Sequence, residues 1–379
     1  MKKSIRGIGT GIAVGAMLVT AACAPPEKEA DKSTATSTDA GVSAATATSA
    51  EEFGGLDALI AAAKKEGTLN VIALPPDWAN YGEIIKAFEA KYSIKVASAT
   101  PDGSSQDEIN AVKQLGSTTR APDVMDMGGA VTVANTTLYA PYKVSTWDDI
   151  PDAQKESTGL WVNDYGGYMS IGYNSAKLPE LTAVADLMKP EFKNKVALNG
   201  DPTAANAALN GVEMASLANG GSLDDISKGV EFFKSLKKAG NFSKIQATSA
   251  TVKSGTTPVV FDWDYLQVGY KADVPGWKVF VPPNAVLGGY YNQAINKTAP
   301  HPAAARLWEE FLYSDDGQNL WLKGGARPVR MDAMTTAKTI DAAAAAALPQ
   351  VGGDPVFQTQ DQVAAASKYL VANWAAAIK

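Results

Sequence analysis

The sequence predicts an α/β protein folded as two lobes, each a sheet layered with helices. Apolar β-type runs alternate with helically spaced stretches at the interval expected of β-α-β units. That alternation occurs twice, over residues 67–129 and again over about 175–285. The closing third is mostly helical and brings no sheet of its own, so it is expected to pack back on the first unit. The second lobe is then an insertion, joined through two extended crossings near 165–175 and 286–296, and such paired crossings form a hinge.

Taken in order, residues 56–65 read as a short amphipathic helix ending at Gly67, and 68–74 as an apolar strand closed by Pro75 and Pro76. Residues 81–92 carry Ile84, Ile85, Phe88 and Tyr92 on one helical face. A strand over 94–97, a helix over 106–115 and a strand over 122–127 ending at Gly128 and Gly129 complete a unit expected to hold a parallel sheet. Strands follow over 167–174 and 195–198. Asp201, Pro202 and Thr203 then read as the start of a helix to about 218. A helix over 223–239 has Ile226, Val230, Phe233 and Leu236 in register. The apolar strand 258–261 runs into Asp262, Trp263, Asp264 and Tyr265, and 277–281 is a strand before Pro282 and Pro283. A strand over 288–295, one long helix over 301–324 and helices over 342–347 and 364–377 close the chain. The expected division is 51–170 with 290–379 as lobe 1, and 171–289 as lobe 2.

The amino terminus carries Lys2, Lys3 and Arg6, an apolar run over 8–19, then Thr20, Ala21, Ala22 and Cys23, the chain's one cysteine. A charged start, a brief apolar run and small residues mark an export signal, too short for a membrane span of about 20 residues. Cys23 directly after the small residues resembles a bacterial lipoprotein signal, although Thr20 stands where such signals usually carry Leu. The resemblance implies a signal peptide over 1–22, acylation of Cys23 and attachment to the membrane through that lipid. An ordinary secretory signal with an incidental cysteine is the alternative. Residues 25–50 lack an aromatic or β-branched apolar cluster, and 23–50 reads as a flexible linker.

Composition removes several function classes. The chain carries −6, and loss of the three basic residues of the signal leaves −9, against nucleic acid or an anionic surface as partner. With one histidine, His301, and one cysteine, no Ser-His-Asp triad, Cys-His dyad or Cys-His zinc site is available. His301 itself reads as a surface residue capping a helix. No phosphate-binding Gly-x-x-x-x-Gly-Lys-Ser/Thr loop is present. Catalysis is disfavoured, and neither a metal nor another cofactor is called for.

Four stretches in the correct order carry a family resemblance. Residues 84–96 resemble a helix-strand pattern F-E-x-K-x-G-I-K-V, with Ser93 in place of glycine. Ala121-Pro122-Asp123-Val124 matches an A-P-D-V strand, and 170–175 resembles a crossing segment. The most specific is 302–318, which resembles P-x-A-A-x-x-x-x-x-F-L-x-S-x-x-G-Q. From about Gly67 to Arg330 the chain resembles a type II periplasmic solute-binding protein of an ABC importer, nearest in pattern to polyamine and iron(III) binders. The resemblance implies an extracytoplasmic monomer without catalysis, whose lobes close over a small-molecule solute and present it to the transmembrane subunits of a permease.

In such folds the solute lies in the crevice beyond the strand ends. Asp77, Trp78 and Tyr81 follow the first strand, where polyamine binders also place aromatic residues, and cation–π contacts there contribute about 0.5–2 kcal/mol each. Core packing is the other role open to Trp78 and Tyr81. Asp262, Trp263, Asp264 and Tyr265 resemble the aromatic-aspartate grip of polyamine binders, with helix capping as the alternative. Ser104, Ser105 and Thr203 stand at helix starts whose N–H groups suit a carboxylate, phosphonate or phosphate, or simply cap. Gly128 allows close backbone approach. Tyr290 and Tyr291 raise ferric iron, although the tyrosine pair of related iron binders lies nearer Asp264 and Tyr265. A polyamine-like or other cationic organic solute is favoured. Ferric ion and aminophosphonate are the alternatives within the fold, and a hydrolase using Asp262 or Asp264 is the alternative outside it.

Overall fold

A computed structural model describes residues 42–349 and 351–379. The signal peptide, Cys23 and most of the expected linker lie outside the described residues. The first elements are α1 (Leu56–Glu66), β1 (Thr68–Ile72), α2 (Tyr81–Tyr92), β2 (Lys95–Ala99), α3 (Ser105–Leu115), β3 (Val124–Gly128), α4 (Gly129–Ala134) and β4 (Tyr139–Ala140). The long β5 (Val162–Asn174) leads to β6 (Val196–Leu198), α5 (Asn206–Ala218), α6 (Ser227–Ala239), α7 (Ser249–Lys253), β7 (Val259–Trp263), α8 (Asp264–Gly269) and β8 (Trp277–Phe280). The return runs through β9 (Leu287–Asn296), α9 (Pro302–Leu312), α10 (Asp315–Lys323), β10 (Arg327–Pro328), α11 (Met331–Ala337), α12 (Ala342–Ala346), β11 (Val356–Phe357) and α13 (Gln360–Ile378).

The ladders explain the two-lobed form. β5 pairs antiparallel with β9 as far as Tyr168↔Gly288, then with β7 from Met169↔Trp263 onward. β6 lies parallel to β7, and β8 antiparallel to the far half of β5. β9 continues into the first lobe, where it pairs antiparallel with β3. Thus β5 and β9 are the two crossing strands. The fully parallel first unit expected from sequence is not found: β1 and β2 are parallel, but β3 takes the returning β9 as its antiparallel neighbour. A chain that crosses back necessarily supplies a strand of opposite direction.

Three further expectations need correction. Residues 42–50 are folded rather than flexible, with Ala44 and Ala47 fully buried. Arg306 of α9 holds this segment by donating from Nε to the Ala47 carbonyl at 2.8 Å and from Nη2 to the Ala45 carbonyl at 3.1 Å. Small alanines fit a shallow groove that a count of bulky residues does not anticipate. The helix expected from Asp201 begins at Asn206 instead, because the Asp201 carboxylate accepts both the backbone N–H and the hydroxyl of Thr203 in a local turn. The single helix expected over 301–324 is two, broken where Ser314 caps α10 by accepting the Gly317 N–H.

His301 is also not a free surface cap. Its Nδ1 lies 2.9 Å from the Asp123 Oδ2, and its backbone N–H donates to Asp123 Oδ1 at 2.7 Å. The same carboxylate accepts the Asn70 N–H at 2.6 Å, so this pair ties β1, β3 and the start of α9 together. Nor does α13 pack only on the first lobe. Its stripe Val363, Ala366, Leu370 and Trp374 is buried, with Trp374 edge-on to Phe233 and Phe242 at 5.6 and 6.1 Å. It contacts α6, α5 and α4, bridging elements of both lobes. The 3–4 residue spacing of its stripe gives it an apolar face, which packs on the buried Phe232, Phe233 and Leu236 side of α6.

Candidate functional site

A cavity of about 670 Å³ lies between the lobes. β1 ends at Ile72, and the chain turns through Pro75 and Pro76 so that Asp77 and Trp78 reach the cavity wall. Asp102, Ser104 and Ser105 enter it from the turn after β2, Glu108 from α3 and Asp126 from β3. The second lobe supplies Asn199 and Asp201 after β6, the start of α5, Lys253 at the end of α7, Tyr270 beside α8, and Asp273. Tyr291 comes from β9. A second hollow, of about 330 Å³, is lined by the second lobe and α13 alone, so lobe closure does not shape it.

The wall is acidic. Asp77, Asp102, Glu108, Asp126, Asp201 and Asp273 border the cavity, against Lys253 as its one cationic side chain. That ammonium is already matched to Asp273 at 2.9 Å. Behind Asp126 stands an aromatic floor. Tyr81 and Tyr165 donate their hydroxyls to Asp126 Oδ2 at 2.7 and 3.1 Å, and Trp78 Nε1 donates to the Tyr165 hydroxyl at 2.7 Å. Tyr165 and Tyr291 are stacked at 5.7 Å, with Trp78 edge-on to Tyr291 at the same separation. Gln293 joins the Tyr81 hydroxyl to the buried Asp164. Burial pushes the Asp126 carboxyl up to about 7, against the lowering effect of the two tyrosine bonds. Burial likewise holds Glu108 well above the ordinary carboxylate range, reinforced by the charge of Asp126.

Of the residues expected from sequence, Asp77, Trp78, Ser104, Ser105 and Tyr291 border the cavity. Ser104 also caps α3 through a reciprocal box with Asp107, and the Ser105 hydroxyl accepts the Gly128 N–H at 3.0 Å. The others do not border it. Tyr81 lies wholly within the floor. Tyr290 precedes Tyr291 on β9 and therefore faces the opposite side, stacking on Phe357 at 6.1 Å. Thr203 is taken up by its turn with Asp201. Gly128 serves as the close approach: a Cβ there would sit 2.6 Å from the Asn206 side chain across the cleft. Trp263 and Tyr265 are 1% and 2% exposed, stacked behind the floor at 6.3 Å.

The two aspartates that resemble the grip of polyamine binders hold other partners. Asp264 is fully buried, accepting the Tyr168 N–H at 2.9 Å and pairing with Arg327 Nη1 at 2.6 Å. Its charge is already balanced by a residue that follows α10, so it joins the lobes. Asp262 accepts the Trp263 N–H and the Asn199 amide, both at 2.8 Å, and burial raises it to about 7. It acts behind Asn199, which borders the cavity. A strand ending in acidic and aromatic residues looks identical in sequence whether the carboxylates face inward or outward.

Two acidic residues that line the cleft, Asp126 and Glu108, are not among those expected from sequence. Asp126 had a signal: an ionisable residue inside an otherwise apolar strand, two residues before Gly128, must be matched or functional. Glu108 stands four residues before Val112 on the buried face of α3. Tyr165 had no comparable mark.

Two α/β lobes strapped by paired strands, with a polar cavity between them and an aromatic floor, define a solute-binding protein of the type II periplasmic class. The family model for bacterial extracellular solute-binding proteins matches residues 130–353, and the chain belongs to that family. It is thus an extracytoplasmic solute-binding component of the ABC-importer type. Among solved structures it is similar to iron-bound HitA from Pseudomonas aeruginosa, at 20% identity and a TM-score of 0.61, over 80% of this chain and 97% of that one. It is similar to AfuA from Actinobacillus pleuropneumoniae with fructose-6-phosphate bound, at 17% and 0.62, over 82% and 98%. A putative spermidine/putrescine ABC transporter protein from Listeria monocytogenes matches at 14% and 0.60, over 82% and 99%. At such identities these likenesses establish the fold.

Proposed function

We propose that this protein captures a small cationic organic solute, of polyamine type, in the cleft and hands it unaltered to the transmembrane subunits of an ABC permease. The observation carrying this reading is the acidic make-up of the cavity wall, six Asp and Glu side chains against one lysine that already has an acidic partner. Trp78 and Tyr291 add aromatic surface on which methylene chains and ammonium groups pack favourably. Asp77, Trp78, Ser104, Ser105 and Tyr291 are the expected residues that serve as contacts in this reading. An aminophosphonate or phosphate would meet mostly like charge in this wall. Ferric iron has less support, because Tyr290 and Tyr291 point to opposite faces of β9 and do not converge. The reading includes no turnover, a monomer, and attachment to the membrane through acyl chains on Cys23. It places the division between lobes at the β5 ladder switch near Met169 and in the first residues of β9.

A thermal-shift screen of polyamines, amino acids, aminophosphonates and ferric salts tests the proposal. Ligand at 100 times its dissociation constant adds about 2.7 kcal/mol of stability. Spermidine or 1,4-diaminobutane should raise the melting temperature and be recovered chemically unchanged. A response confined to anions or to iron would refute it.

A further inference from the structure

We propose that Asp126, backed by Glu108, is the seat of the innermost ammonium group of the solute. This inference rests on the cationic-solute reading above and assigns the gripping carboxylate. Asp126 borders the cavity yet is only 7% exposed. Its Oδ2 is filled by the hydroxyls of Tyr81 and Tyr165, whereas its buried Oδ1 has no N–H or hydroxyl donor, and only the buried Asp164 carboxyl also lies within hydrogen-bonding reach of the group. A buried carboxylate oxygen left without a donor carries a desolvation penalty that an incoming N–H would relieve. Glu108, 1% exposed, also borders the cavity and accepts the Asp126 backbone N–H at 2.9 Å. Asp126 and Glu108 therefore stand adjacent at this end of the cleft, with the buried Asp164 carboxyl behind them, and among the described residues no cationic side chain is bonded to either.

The chemistry favours an organic ammonium over a metal ion. A hard cation needs several oxygen ligands, and here Asp126 Oδ2 and Glu108 Oε2 already have donors. The Asp126 Oδ1 suits one N–H, and Trp78 and Tyr291 border the same cavity, suited to the attached carbon chain. The bonds from Tyr81 and Tyr165 fix the carboxylate plane, so the acceptor is oriented before the solute arrives.

Calorimetric titration of the mature protein with spermidine and 1,4-diaminobutane tests the assignment. Asp126→Asn keeps an acceptor for the tyrosine hydroxyls but presents an NH₂ where the free oxygen stood. It should weaken both amines about 30-fold or more while leaving the melting temperature of the ligand-free protein unchanged or higher. Glu108→Gln should weaken them about fivefold, and it carries the test if Asp126→Asn does not fold. If wild-type protein binds the amines and the folded variants bind them within twofold of it, the seat is elsewhere and the cationic reading survives. If wild-type protein binds neither amine, both fail. Displacement of bound spermidine by millimolar Mg²⁺ that is lost in Asp126→Asn would make the site a metal site and overturn the assignment.

Discussion

At the scale of single residues, the carboxylates divide by what they already hold. Asp264 is neutralised by Arg327, whose guanidinium also lies 4.5 Å from the Tyr168 ring centroid. Removing one partner of such a buried pair strands the other charge. Arg327→Met should therefore cost about 3–5 kcal/mol in urea unfolding, and adding Asp264→Leu should recover much of that loss. Asp126 differs because its remaining oxygen waits for a donor. With its carboxyl near pH 7, it is largely protonated below that value and carries charge above it. Amine affinity should accordingly strengthen from pH 6 to pH 8, and should lose that dependence in Asp126→Asn. The titratable groups around it are Glu108, Tyr81, Tyr165 and Asp164, all within hydrogen-bonding reach, and beyond them Tyr265, Tyr291 and Glu309. Sequence could single out acidic residues near strand ends but could not tell Asp126 from Asp264. The distinction depends on Arg327, 63 residues away, which no local pattern connects to Asp264.

At the scale of elements, periodicity identified most strands and helices, and it failed where side chains overrule it. An acidic residue before Pro202 predicts a helix start at Asp201, but its carboxylate accepts the Thr203 N–H and hydroxyl instead. The break between α9 and α10 depends on Ser314, whose hydroxyl competes with the helical hydrogen bond. The placement of α13 was legible only in part: its stripe announces a buried face, but nothing in it names the partner. Because Trp374 fills the space beside Phe233 and Phe242, Trp374→Ala should destabilise the protein by about 3–5 kcal/mol, read by chemical denaturation. Gly128 sets how closely β3 approaches α5. Gly128→Ala would press on Asn206, so scattering should show a larger radius of gyration, with weaker amine binding.

At the scale of the whole molecule, burial of acids gives the protein a definite pH response. Glu66, Asp126 and Asp262 are raised to about 7 and Glu309 to about 8, in each case mainly by desolvation. Unfolded carboxyls titrate near 4. Between those values the folded chain holds more protons than the unfolded one, so stability falls as pH rises. His301, raised by Asp123 despite its burial, contributes in the same direction, since its stabilisation is lost as pH rises through its folded value. The ligand-free protein should therefore melt higher at pH 5 than at pH 8, by calorimetry. The two-lobed plan was legible from the order of strands and helices, because a sheet that resumes after an insertion leaves that order in the chain. The direction of β3 was not, since it depends on which strand returns beside it.

The grip of Arg306 on the carbonyls of Ala45 and Ala47 has a mechanical meaning. Any pull arriving through the preceding chain enters at α9, on the lobe that contains β1 and β3. With the acyl attachment proposed for Cys23, that body would be the moored one and the half built on β6 and β7 the one left to swing.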